Sequence, residues 1–140
     1  MVCLQTEPID IASVVASVTE PEHGGLATFL GTTRAEKAGH PVVALDYEAH
    51  EEMALAELRA IVEEAEARYR GRCALIHRTG LVPVGEASVL AAASAPHRPK
   101  AFAACRYLID SAKERVPIWK RSHFADGAAG WHDGITGGVA

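Results

Sequence analysis

The sequence lacks most of what would tie it to a membrane, an oxidising compartment or a nucleic acid. No apolar run approaches the ~20 residues of a membrane-spanning helix. The three cysteines, Cys3, Cys73 and Cys105, are scattered, odd in number and without a CxxC pair, so no disulfide framework is expected. "MVCLQTEPID" has neither the basic nor the apolar region of a secretory signal, and a cytoplasmic protein is predicted. A net charge of -4 argues against a general nucleic-acid binder, while leaving room for a local basic pocket. The seven histidines form no HExxH, no HxH and no Cys/His pairing at ligand spacing, so no metal is expected. Gly24, Gly25 and Gly31 make neither GxGxxG nor a P-loop. There are no repeats and no linker. What remains is an ordinary globular mixture of 140 residues, 49% apolar and 23% charged, which predicts one domain over 1–140.

Periodicity divides that domain. Ile9, Ile11, Val14, Val15 and Val18 recur at helical spacing behind Asp10, a candidate cap. "LATFLGTTR" and "VVALDYEAH" read as strands on either side of a polar loop, "AEKAGHP". A long helix over Glu51–Tyr69 has Met53, Leu55, Leu58, Ile61, Val62 and Ala65 as its apolar face, with glutamates on a solvated one. "RCALIHRTG" and "EASVLAAASA" are strands joined by a turn, "LVPVG", the second apolar enough to be covered on both faces. A helix from Arg98 to Arg115 ends before Pro117, "IWKRSHF" is β-like, and the glycine-rich segment 125–140 is expected to be a flexible tail. The order predicts an α+β fold with mostly antiparallel pairing.

Against the acidic balance, residues 94–124 concentrate His97, Arg98, Lys100, Arg106, Lys113, Arg115, Lys120, Arg121 and His123 against only Asp110 and Glu114. Arg106, Asp110 and Lys113 share a helix face, which by itself suits a salt-laced solvent surface. However, "SAPHRP" sets His97 and Arg98 at a helix N-terminus, whose free N–H groups and dipole favour anions. Lys120 follows the Pro117 stop, so the chain can double back. Arg34, His97, Arg98, Lys113 and Lys120 are therefore expected to converge on one phosphate-bearing ligand. Cys105 sits on an apolar stripe, where an inert core residue is the better reading than a nucleophile. His77 reads equally as a satisfied strand histidine or a reactive one.

Five motifs carry a resemblance: F-x-G-x-x-R (residues 29–34), Y-E-x-x-x-x-M-A (47–54), H-R-x-G-x-x-x-x-G-E (77–86), H-R-x-x-A-F (97–102) and P-x-W-K (117–120). Together and in this order, the chain resembles the large, catalytic subunit of molybdopterin synthase from residue 8 to about 120. The resemblance implies an α/β-hammerhead fold and a homodimer within a heterotetramer. At each end would sit a small ubiquitin-like sulfur carrier whose C-terminal Gly-Gly thiocarboxylate enters the large subunit. Sulfur would pass to cyclic pyranopterin monophosphate, making the dithiolene of molybdopterin with no cofactor and no metal. Lys113 and Lys120 would be catalytic, Lys113 nearest the carrier terminus and Lys120 beside the pterin. Phe29, Thr32, Thr33, Arg34, His97, Arg98, Arg121 and Ser122, with both lysines, would hold the substrate.

Two departures bear on this. Ser122 stands where the family often has an acidic residue, and no Lys or Arg follows Arg121. Two other readings stay open: a non-catalytic module docking a ubiquitin-like partner, and a phosphate-ligand enzyme without a protein partner.

Overall fold

In the computed structural model, residues 1–131 are described. Strand β1 (Val2–Gln5) is followed by α1 (Ile11–Val18), β2 (Gly25–Thr32), β3 (Glu36–Lys37), β4 (His40–Ala49) and α2 (Glu51–Tyr69). Then come β5 (Arg72–Arg78), β6 (Gly80–Pro83), β7 (Ala87–Ala95), α3 (Arg98–Arg115), β8 (Ile118–Phe124) and β9 (Ala129–Trp131). One sheet has the order β1-β5-β7-β2, antiparallel apart from the parallel β1–β5 pair. The other runs β3-β4-β8-β9, with β6 also paired to β4, and is antiparallel throughout. This is the mixed, mostly antiparallel architecture expected.

Helices cover the first sheet on both sides. Side chains alternate across a strand, so Cys73 and Leu75 of β5 and Val89, Ala91 and Ala93 of β7 join the core under α2 and α3. Ala74, Ile76, Leu90 and Ala92 face the other way, onto Val14 and Val18 of α1. That two-sided burial is why β7 carries no polar alternation. Asp10 caps α1 as expected, accepting from the Ser13 amide at 3.2 Å. Gly25 brings β2 against the start of α3, where an added Cβ would lie 2.9 Å from Arg98 Cα.

Several local readings change. "VCLQ" is a strand, recruited by parallel pairing to a distant β5 that leaves no local turn signal. "LVPVG" begins inside strand β6, because Gly80 at φ +78° swings the chain out of the first sheet and onto β4 of the second. "AEKAGHP" folds into a short hairpin, with Ala38 and Gly39 at positive φ. Within the segment expected as a tail, Ala129–Trp131 pair with β8; residues 132–140 lie outside the described residues.

On α2, Met53 is exposed and Ala54 takes the core position. The acidic face of that helix is not simply solvated. Arg115 donates to Glu57 (2.9 Å) and through both terminal nitrogens to Glu64 (2.7 and 2.9 Å), and the Tyr107 hydroxyl donates to Glu64 as well. These bonds clamp α2 to the last turn of α3 and take Arg115 out of any anion pocket.

Candidate functional site

Strand β8 leaves α3 by way of Pro117 and enters the second sheet between β4 and β9. Alternation turns Ile118, Lys120 and Ser122 inward and Trp119, Arg121 and His123 outward. Lys120 is 7% exposed and lies directly opposite Tyr47 in the β4–β8 ladder. Burial pulls its ammonium down from 10.5 to about 8, helped by the positive charges of Lys37, Arg34 and Lys113. Burial is thus the larger cause, ahead of the neighbouring cations that sequence reasoning would invoke.

Those three cations come from three different elements. Arg34 follows the end of β2, Lys37 lies on β3, and Lys113 projects from the last turn of α3, where the helix dipole favours a cation. The Lys113 ammonium stands 6.0 Å from the centroid of the half-exposed Phe29 ring, within reach of a cation–π attraction. Phe29, Arg34, Lys113 and Lys120 therefore share one locale, open to solvent through Phe29 and Arg34 and closed behind Lys120. A site of this make-up can hold an anion, polarise a carbonyl and exchange a proton near neutral pH.

The other expected residues divide. Thr32 is exposed beside Arg34. Thr33 is turned inward, its hydroxyl donating to the Val82 carbonyl at 3.2 Å. Ser122 is buried on the Lys120 face of β8. Arg121 faces the opposite way and donates to Asp46 at 3.3 Å, with His123 Nε2 3.7 Å from the same oxygen.

His97 and Arg98 do not join the cluster within one chain. His97 is the N-cap residue of α3 and Arg98 its first residue, whereas Lys113 lies fifteen residues further along. At 1.5 Å per residue that is about 22 Å. Within one chain the five cations therefore do not converge on one ligand: the helix is a rigid spacer between them. At its N-terminal end, Arg70, Pro96, His97, Pro99 and Lys100 line a separate cavity of about 360 Å³.

Two features escaped the sequence reading. Lys37 sat in a segment read as a polar loop, and only the β3–β4 hairpin brings its charge to bear on Lys120. Tyr47, His77 and Ser88 form a buried polar group behind Lys120; Tyr47 and His77 lie in quoted motifs, but nothing in their spacing signals contact. Cys73 and Cys105 are buried, and desolvation pushes their thiols up to about 12 and about 11, which withholds the thiolate a nucleophile needs. Among the described residues, no cluster of three or more His, Cys, Asp or Glu is arranged to hold a metal. No described helix is long and apolar enough to cross a membrane.

The sequence profile of the family described as MoaE protein matches residues 4–115. The molybdopterin synthase catalytic subunit of Oryza sativa is 51% identical over 120 residues, which are 85% of this chain and 62% of that protein. Catalytic subunit 1 of Mycobacterium tuberculosis is 42% identical over 126 residues, 89% of this chain and 86% of its own length. Among solved structures, molybdopterin synthase from Staphylococcus aureus superimposes with a TM-score of 0.89 at 30% identity, covering 94% of this chain and 96% of that one. A complex of subunits 1 and 2 of molybdopterin-converting factor from Helicobacter pylori shares the fold, at a TM-score of 0.78 and 17% identity. The chain spans less than two thirds of the rice relative and most of the mycobacterial one.

Proposed function

The chain belongs to the MoaE family, whose members here are molybdopterin synthase catalytic subunits, and from that premise we propose that it is a sulfurtransferase of molybdenum cofactor biosynthesis. Its sulfur donor is the C-terminal thiocarboxylate of a small ubiquitin-like carrier, and its acceptor is cyclic pyranopterin monophosphate. The observation that carries this reading is Lys120, buried and held near 8 beside Arg34, Lys37 and Lys113. Both ligands are anionic, and a nest of cations reached past the Phe29 ring suits a thin, negatively charged C-terminus. Once the thiocarboxylate sulfur has bonded to a side-chain carbon of the pterin, displacing an oxygen from it, water adds to the resulting thioester carbonyl through an oxyanion. The acyl–sulfur bond then breaks, leaving a carboxylate on the carrier and the sulfur on the pterin. The Lys113 ammonium stabilises the oxyanion, and Lys120, whose proton burial holds less tightly, returns protons to the site.

The phosphate contacts assigned to His97 and Arg98 then require a second copy of this chain. With about 22 Å of α3 between them and Lys113, one protomer's His97 and Arg98 serve its partner's Lys113 and Lys120. A homodimer follows, with a carrier bound by each large subunit. The test is reconstitution from this protein, thiocarboxylated carrier and pterin precursor, reading dithiolene product. Lys113→Ala and Lys120→Ala should each cost about 10²–10³ in rate with the fold intact. Wild-type rates in both variants would remove the lysines from the chemistry.

A further inference from the structure

Behind Lys120, where the two sheets meet, lies a polar group to which the proposed reaction assigns no task. Tyr47 pairs with Lys120 across β4 and β8, so their side chains share a face about 5 Å apart at Cβ. The Tyr47 hydroxyl donates to Ser88 Oγ at 3.1 Å, and Ser88 in turn donates to the Gly31 carbonyl at 3.3 Å, so the ring cannot swing. Against it stands the imidazole of His77, edge to face, with centroids 5.1 Å apart. His77 is 2% exposed. Its Nδ1 lies 2.7 Å from the Arg78 carbonyl oxygen, which can only accept, so Nδ1 carries the hydrogen. Nε2 is left with a bare lone pair, enclosed and without a hydrogen-bond partner. Such an atom costs stability and calls for a reason.

We propose that Tyr47 and His77 are positioning residues for Lys120. The locked tyrosine ring walls in the lysine stem, and the enclosed Nε2 lone pair of His77 supplies the dipole that keeps the ammonium form of Lys120 attainable among cations. Among the described residues, Tyr47 from β4 stands opposite Lys120, His77 from β5 packs against Tyr47, and Lys37 from β3, Arg34 after β2 and Lys113 from α3 bear on Lys120 as charges. Arg78 beside His77 is paired with Glu86, and Asp46, Arg121 and His123 lie on the far face of the second sheet. Of these described groups, the three cations disfavour its proton and the two rings do not. His77 can play this part because burial, then the Lys120 charge, keeps it neutral, near 4.

The titration of Lys120 does not depend on the proposed sulfur transfer, whereas the kinetic consequence does. The experiment therefore reads both. Protein labelled with 13C,15N-lysine is titrated by NMR, the Lys120 signal being assigned by its loss in Lys120→Arg. His77→Phe keeps a ring and removes the lone pair; its Lys120 midpoint should fall by about one pH unit, while His77→Asn, which restores an acceptor, stays near wild type. The matching limb of the kcat profile should move with it, and KM for the precursor should hardly change. A folded His77→Phe that titrates Lys120 at the wild-type midpoint would overturn the proposal. A midpoint that moves without the kinetic limb supports it and instead removes Lys120 from proton transfer. Should His77→Phe not fold, 15N-histidine in the wild-type protein decides. The Nε2 shift should follow the Lys120 midpoint near pH 8 although the imidazole itself stays neutral, and a flat response from pH 7 to 9 would overturn the assignment.

Discussion

Replacing Lys120 with methionine should make the folded protein more stable while destroying its activity. The reasoning starts from the cost of holding an ammonium at 7% exposure beside Arg34, Lys37 and Lys113. A drop from 10.5 to about 8, at 1.36 kcal/mol per pH unit, puts that cost at about 3 kcal/mol. Methionine keeps the length of the stem without the charge. The sign depends on pH. Below 8, Lys120 is protonated in both the folded and unfolded chain, and the full cost is present. Between 8 and 10.5 the folded protein has released the proton and the unfolded chain still binds it, so wild-type stability rises with pH. Above 10.5 the difference is gone. Denaturant unfolding at fixed protein concentration, run at pH 7, 9 and 10.5, should show a Lys120→Met advantage that is largest at pH 7 and vanishes by 10.5. An advantage that is absent, or constant across that range, would refute the claim that burial of charge at Lys120 opposes folding. The trade is a familiar one: a strained catalytic group lowers stability, and its removal restores it.

Two further outcomes are expected. Mixing inactive Lys113→Ala with inactive Arg98→Ala protein and allowing subunits to exchange should recover about a quarter of wild-type product formation. Half of randomly exchanged dimers are mixed, and each mixed dimer holds one complete site; no recovery would return Arg98 to its own protomer's site. Glu64 is held at about 2, first by its bonds from Arg115 and then by the Tyr107 hydroxyl. It adds stability that is full above the ordinary carboxylate range and is lost as pH falls through 2. Arg115→Ala should abolish that part of the acid-unfolding slope, read by circular dichroism from pH 5 to 2, and leave activity at neutral pH largely in place.

Local chemistry was enough to read most elements and the family. The helix 98–115 shows in its apolar spacing and its Pro117 stop, and the cap at Asp10 is visible as a residue type before a periodic run. Strand β7 betrays its two buried faces because a strand covered on both sides has no use for polar alternation. The five motifs name the family because a site needs particular side chains at particular spacings along strands and turns. Other features were invisible for an equally physical reason: they depend on partners far away in the chain. Strand β1 exists because β5 offers a free edge, and β6 because β4 does. Lys37 matters only through a hairpin that folds it back, and His77 and Tyr47 only through the meeting of two sheets. The cation-rich segment, the helix N-terminus at His97 and Arg98 and the Pro117 stop suggested that these residues and Lys113 gather at one anion. The rise of the helix that joins them holds them about 22 Å apart, because composition records how many charges a segment carries while the tertiary structure decides which way each one faces.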